Sequence, residues 1–98
     1  MAEKKLTVYR EGYGLYRATQ WDDISAFHRR MKFDNGTFLV DDVLYSSMDR
    51  ATGNTENMLV VEEVRDDAII VRTADRGPIK DLRPFADNEE FTLIARYE

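Results

Sequence analysis

The chain has 98 residues, 43% hydrophobic and 34% charged, with a formal net charge of −5. That is enough apolar material for one core and a single domain over residues 1–98, and at this size folding hides only about two thirds of the unfolded surface, so a homodimer would add stability. Cysteine is absent, which excludes disulfides, thiol nucleophiles and thiolate zinc sites and makes a reducing compartment, the cytoplasm, the expected location.

The N-terminal Met1-Ala2-Glu3-Lys4-Lys5-Leu6 carries charge with no apolar run behind it, so neither a signal peptide nor a membrane span is expected. Leu6, Val8, Tyr9, Tyr13, Leu15 and Tyr16 then suggest two short strands joined at Glu11-Gly12-Tyr13-Gly14, where glycine supplies any positive φ the reversal needs. Asp22 or Asp23 offers an N-cap, and Ile24, Phe27, His28 and Met31 recur at helical spacing, so one short helix is expected over residues 23–32. Arg29, Arg30 and Lys32 would complement its carbonyl end, with Asn35-Gly36 as the stop. The competing reading is a hairpin over Met31 to Val40 on an Asn-Gly turn, with Phe33 facing Phe38.

Thr37 to Tyr45 reads as a strand bent at Asp41-Asp42. Residues 46–57 read as a long polar loop, about twice the usual length for a compact domain. The clearest signal follows: Val60, Val61 and Val64 on one side of Arg65-Asp66-Asp67, and Ile69, Ile70 and Val71 on the other, form an antiparallel hairpin of β-branched runs. Ile79, Leu82 and Phe85, spaced by three before and after Pro84, predict one 3₁₀-like turn. Phe91 to Tyr97 alternates as a closing strand.

The sum is a mainly β (α+β) fold: a small, strongly bent antiparallel sheet or SH3-like barrel with one short helix near the N-terminal third. Apolar residues fall on both faces of the central hairpin, so the second face requires a cover from the helix, the far wall of a barrel or a partner.

Catalytic and metal signatures are weak. His28 is the only histidine, and one imidazole without thiolates or convergent carboxylates builds no zinc site. Ser25, three residues away, lacks an evident orienting acid or oxyanion site. Gly12-Tyr13-Gly14 is too short for a phosphate loop, and the acidic doublets lack the alternating ligands of a Ca²⁺ loop. The reading is therefore non-enzymatic, with no cofactor and no metal.

Two constellations remain. Tyr9, Arg10, Tyr13, Tyr16, Arg17 and Trp21 interleave rings with guanidinium groups, a composition suited to stacking a nucleotide or single-stranded nucleic acid, or to anchoring a protein interface. Asp41, Asp42, Glu62, Glu63, Asp66 and Asp67 could form an acidic surface that steers a basic protein partner. The acidic balance itself argues against sequence-independent DNA binding, which draws its affinity from neutralised phosphates. The expected function is a small acidic protein-binding module, a stoichiometric regulator or inhibitor of the kind that phages also encode. The alternative is a small barrel that binds a nucleotide or single-stranded nucleic acid.

Overall fold

The computed structural model describes residues 4–98; the first three residues, part of the N-terminal stretch discussed above, lie outside it. Six strands, β1 (Leu6–Asp23), β2 (Arg29–Phe33), β3 (Val43–Ser46), β4 (Leu59–Val64), β5 (Ile69–Thr73) and β6 (Glu89–Tyr97), close into a barrel in the order β1-β2-β5-β4-β3-β6. Every pairing is antiparallel. No helix among the described residues is long and apolar enough to cross a membrane.

Closure answers the two-faced pattern of the central hairpin. Leu59, Val61, Ile69 and Val71 join Met31, Leu44, Phe91 and Leu93 in one interior cluster, while Val60 and Ile70 are buried without belonging to it. The β4–β5 hairpin forms where the β-branched runs place it, with its tip closed by Arg65 N–H donating to the Ala68 carbonyl at 2.8 Å. The expected turn at Ile79–Asp81 (η1) and the closing strand β6 are also present.

The helix expected over residues 23–32 is absent. β1 continues to Asp23, and the chain reverses through residues 24–28 and returns as β2. Asp22 and Asp23 are cross-strand partners of Arg30 and Arg29, not helix caps, with Arg30 Nε to Asp22 Oδ1 at 3.0 Å and Arg29 Nε to Asp23 Oδ1 at 2.6 Å. The helical stripe does not act together: Met31 is wholly buried, whereas Ile24 and Phe27 stay exposed on the reversal. Opposite charges across two strands satisfy the basic cluster that resembled a helix end.

The one α-helix among the described residues, α1 (Ser47–Thr52), instead interrupts the expected 46–57 loop. Gly53, at φ +74°, ends it in the left-handed conformation, and Asp49 anchors it to Arg83. The expected strand over 37–45 begins only at Val43, because Asp42 turns the preceding residues into a loop by accepting the Leu39 N–H at 2.8 Å. The two short N-terminal strands are one 18-residue strand, and the Gly12 and Gly14 region breaks register against β6 without reversing the chain. The Asn35-Gly36 hairpin does not form either, although Phe33 and Phe38 do meet, with ring centroids 5.1 Å apart.

Candidate functional site

The strand bounds create an opening at one end of the barrel. β2 pairs with β5 only from Arg29 to Met31, so beyond Met31 the two strands are no longer joined. The 34–38 loop and the β4–β5 turn form two lips over a depression of about 350 Å³. Its floor is interior side chains, Met31, Phe33, Phe38 and Ile69, and Val64, 44% exposed, stands at the edge. One lip is Asn35-Gly36-Thr37 and the other runs from Arg65 to Ala68.

Gly36 sets the first lip. Its φ of +101° is open to glycine, and a Cβ there would lie 2.5 Å from the Tyr16 ring. Tyr16 is held from the other side by Phe38, edge-on at 5.0 Å. On the second lip the Arg65 charge is tied to Glu63 at 3.0 Å, and Asp67 meets Lys32 at 3.3 Å with its own side chain 76% exposed. Asp66 is exposed and forms no ion pair among the described residues. The depression thus has an apolar floor and a carboxylate-bearing rim, the build of a site that seats an apolar group beside a cation.

The aromatic and arginine constellation does not form one surface. Tyr9 and Tyr13 come together, ring centroids 5.2 Å apart and tilted by 37°, with Tyr9 packed against the core, while Arg10 is exposed. Tyr16 is a core residue, with burial pushing its hydroxyl pKa up against the opposing influence of Arg96. Arg17 is a strut between Asp34 and Glu90 at 3.9 and 3.7 Å. Trp21 lies near the other end of β1, where Arg29 stacks 4.3 Å from its ring and Phe85 meets it edge-on at 6.1 Å. Arg29 Nη1 is buried without a hydrogen-bond partner, and its guanidinium is faced by the Trp21 and Phe85 rings instead.

The acidic doublets are likewise divided. Asp42 is fully buried and belongs to the interior, where Arg96 reaches both its carboxylate oxygens at 3.0 and 2.7 Å. That corrects its expected place on the surface: adjacent residues at a sharp bend point apart, so Asp41 alone stays outside. Glu62 is engaged by His28 and by Arg72 at 3.8 Å, and Glu63 by Arg65. Only Asp66 and Asp67 contribute to the depression.

Ser25, His28 and Glu62 line up, with Ser25 Oγ 3.1 Å from His28 Nδ1 and the Glu62 carboxylate on Nε2. The orienting acid missing from the sequence is supplied by β4. Ser25 Oγ also accepts the Phe27 N–H at 3.3 Å, so the trio pins the 24–28 reversal to the barrel wall. Ser25, His28 and Glu62 line none of the depressions described for this barrel, and the hydroxyl's contacts are those of a local clasp.

A second clasp lies at the end of the barrel away from the depression. Arg83 reaches Asp49 Oδ1 and Oδ2 at 3.1 and 2.9 Å and Glu89 Oε1 and Oε2 at 2.9 and 2.6 Å, joining α1 to the start of β6. Both carboxylates hold the guanidinium pKa above its ordinary value. For Glu89, burial pushes the carboxyl up, but bonds from Arg83, the Ser46 hydroxyl and the Ala86 N–H outweigh it and hold it below the usual range. Every polar group here is committed to another, which makes the clasp a structural element.

Sequence reasoning missed the apolar floor, because Met31, Phe33, Phe38 and Ile69 read as ordinary core. The available signal was Phe33 and Phe38 flanking Asn35-Gly36. Among the described residues no cluster of three or more His, Asp or Glu is arranged to hold a metal ion. Comparison with protein-family profiles, characterised proteins and solved structures gives no match.

Proposed function

We propose that the protein is a non-enzymatic binding module that acts stoichiometrically, as a regulator or inhibitor, by seating an apolar side chain of a partner protein flanked by Lys or Arg. The observation that carries this reading is the depression between the 34–38 loop and the β4–β5 turn, apolar at its floor and edged by Asp66 and Asp67. An apolar anchor would displace water from Phe33, Phe38 and Ile69, while the two carboxylates would select a neighbouring cation. The cysteine-free composition supports a cytoplasmic site of action.

The test is selection from a random peptide library displayed on beads, followed by calorimetry with the enriched peptides. A consensus of one large apolar residue beside Lys or Arg is expected, with binding lost in Val64→Arg and weakened in Asp66→Lys/Asp67→Lys. The reading fails if no consensus emerges, or if both variants bind the selected peptides as the parent does.

Nucleotide or single-stranded nucleic-acid binding remains a second reading, favoured by the exposed Tyr13, whose ring meets Tyr9, and by an exposed Arg10 that has no carboxylate partner among the described residues. It predicts that mixed oligonucleotides shift the amide resonances of residues 9–13 and that Tyr13→Ala abolishes the shifts. Unchanged resonances would eliminate it.

A further inference from the structure

Asn35 and Gly36 are the exposed crest of the first lip, outside any strand or helix. The chain is anchored on each side of them. Asp34 donates its N–H to the Arg17 carbonyl at 3.0 Å and takes the Arg17 N–H on Oδ1 at 3.0 Å, while the Thr37 carbonyl accepts Arg96 Nη2 at 2.9 Å. Between these anchors neither the Asn35 carboxamide nor the Gly36 N–H has a hydrogen-bond partner among the described residues. The other three asparagines are placed differently. Asn54 Oδ1 accepts the Glu56 N–H at 3.0 Å, and a β-branched threonine follows it. Asn57 is buried and donates to Asp49 Oδ1 at 3.3 Å, and the next N–H, that of Met58, donates to the Thr55 carbonyl at 3.3 Å. The N–H after Asn88, that of Glu89, donates to the Ala86 carbonyl at 3.2 Å.

We propose that Asn35 is a site of intramolecular deamidation, which turns the neutral lip acidic as the protein ages. The Gly36 nitrogen gives up its proton to solvent base and bonds to Asn35 Cγ; the Cγ–Nδ2 bond then breaks and ammonia leaves with a proton from water, closing a succinimide. Water opens that ring at either carbonyl. Cleavage of the new Cγ–N bond gives aspartate, and cleavage of the bond from the Asn35 main-chain carbonyl carbon to the same nitrogen gives isoaspartate. The net change is amide plus water to carboxylic acid plus ammonia, with no oxidant or reductant. Glycine suits the attack because no Cβ shields its nitrogen, and a loop crest with both groups unbound can rotate them into contact. Either product adds a carboxylate across the mouth of the depression from Asp66 and Asp67. Isoaspartate also lengthens the main chain by one atom, between the anchors at Asp34 and Thr37 and against the Tyr16 ring on which Gly36 packs.

Tryptic mapping of the full chain, aged while folded at mildly alkaline pH, tests this. Residues 33–50 form a fragment whose sole asparagine is Asn35, whereas 51–65 carries Asn54 and Asn57, and 81–96 carries Asn88. A mass gain of about 1 Da, with isoaspartate detected by enzymatic methylation, is expected in fragment 33–50. It should appear at least about tenfold faster than in the other two fragments, and at a rate within about tenfold of that in the urea-unfolded chain. Asn35→Gln, whose cyclisation needs a larger ring, should leave fragment 33–50 unmodified over the same period. The isoaspartyl form should shift the Tyr16 resonances away from those of Asn35→Asp; coincident spectra would refute the strain on the lip. An unmodified fragment 33–50, a gain no faster than at the other asparagines, or a folded chain more than about tenfold slower than the unfolded one overturns the proposal. The reaction is read by mass and does not depend on what the depression binds.

Discussion

Asp42 and Arg96 form a two-pronged ion pair in which the carboxylate is fully buried and the guanidinium side chain is 15% exposed. Asp42 also accepts the Leu39 N–H, and Arg96 donates to the Thr37 carbonyl at 2.9 Å. The pair ties β6 to the loop that forms one lip of the depression. Arg96→Met would strand the buried carboxylate and should cost about 3–5 kcal/mol in urea unfolding. Adding Asp42→Asn should recover part of that loss, because an amide oxygen still accepts the Leu39 N–H without a charge.

Stability should fall on acidification through Glu89. Its carboxyl titrates below its ordinary value of 4.5, so its stabilising contribution is present above that pH and is lost as the pH falls through the lower folded-state value. Arg83→Met weakens this dependence. It leaves only the Ser46 hydroxyl and the Ala86 N–H to oppose burial, so the Glu89 pKa moves upward and the variant gains less stability than the parent as pH rises. Urea midpoints of parent and variant should therefore diverge most near neutrality and converge below about pH 4.

Gly36→Ala should destabilise by roughly 1–3 kcal/mol, since an added Cβ meets the Tyr16 ring in a backbone conformation that L-residues rarely adopt. A lower melting temperature and altered Tyr16 resonances would show it. An unchanged melting temperature would mean that the lip relaxes freely.

Trp21 is the sole tryptophan and reports on the far end of the barrel. Phe85→Leu removes a ring that meets both Trp21 and Arg29, so emission should shift to the red and stability should drop by about 1 kcal/mol. Ligands held at the opposite depression should leave the emission unchanged.

The β4–β5 hairpin was legible because Val60, Val61, Ile69 and Ile70 leave a β-branched run no better local option, and its charged tip bonds its own backbone. The 23–32 segment misled because Asp22, Asp23, Arg29 and Arg30 carry the same charge order at a helix start and stop as at a hairpin's facing strands. Partners distant in sequence decided between them: Ile70 beside Arg30 and Val71 beside Arg29. α1 was hidden for the converse reason. Its anchor is Asp49 on Arg83, 34 residues away, and its own six residues carry little apolar patterning. The depression was illegible because its floor is made of core residues, exposed where two paired strands part company.

The first and last strands are also the partners that seal the ring, with Leu6 opposite Tyr97 and Thr7 opposite Arg96. A nascent polypeptide emerging from the ribosome can zip β4 onto β5 early, yet the circle stays incomplete until β6 has been translated. Contacts that span nearly the whole chain carry a large loop-closure entropy, so acquisition of the native state should be gated by this final seam and be slow for a protein of this length.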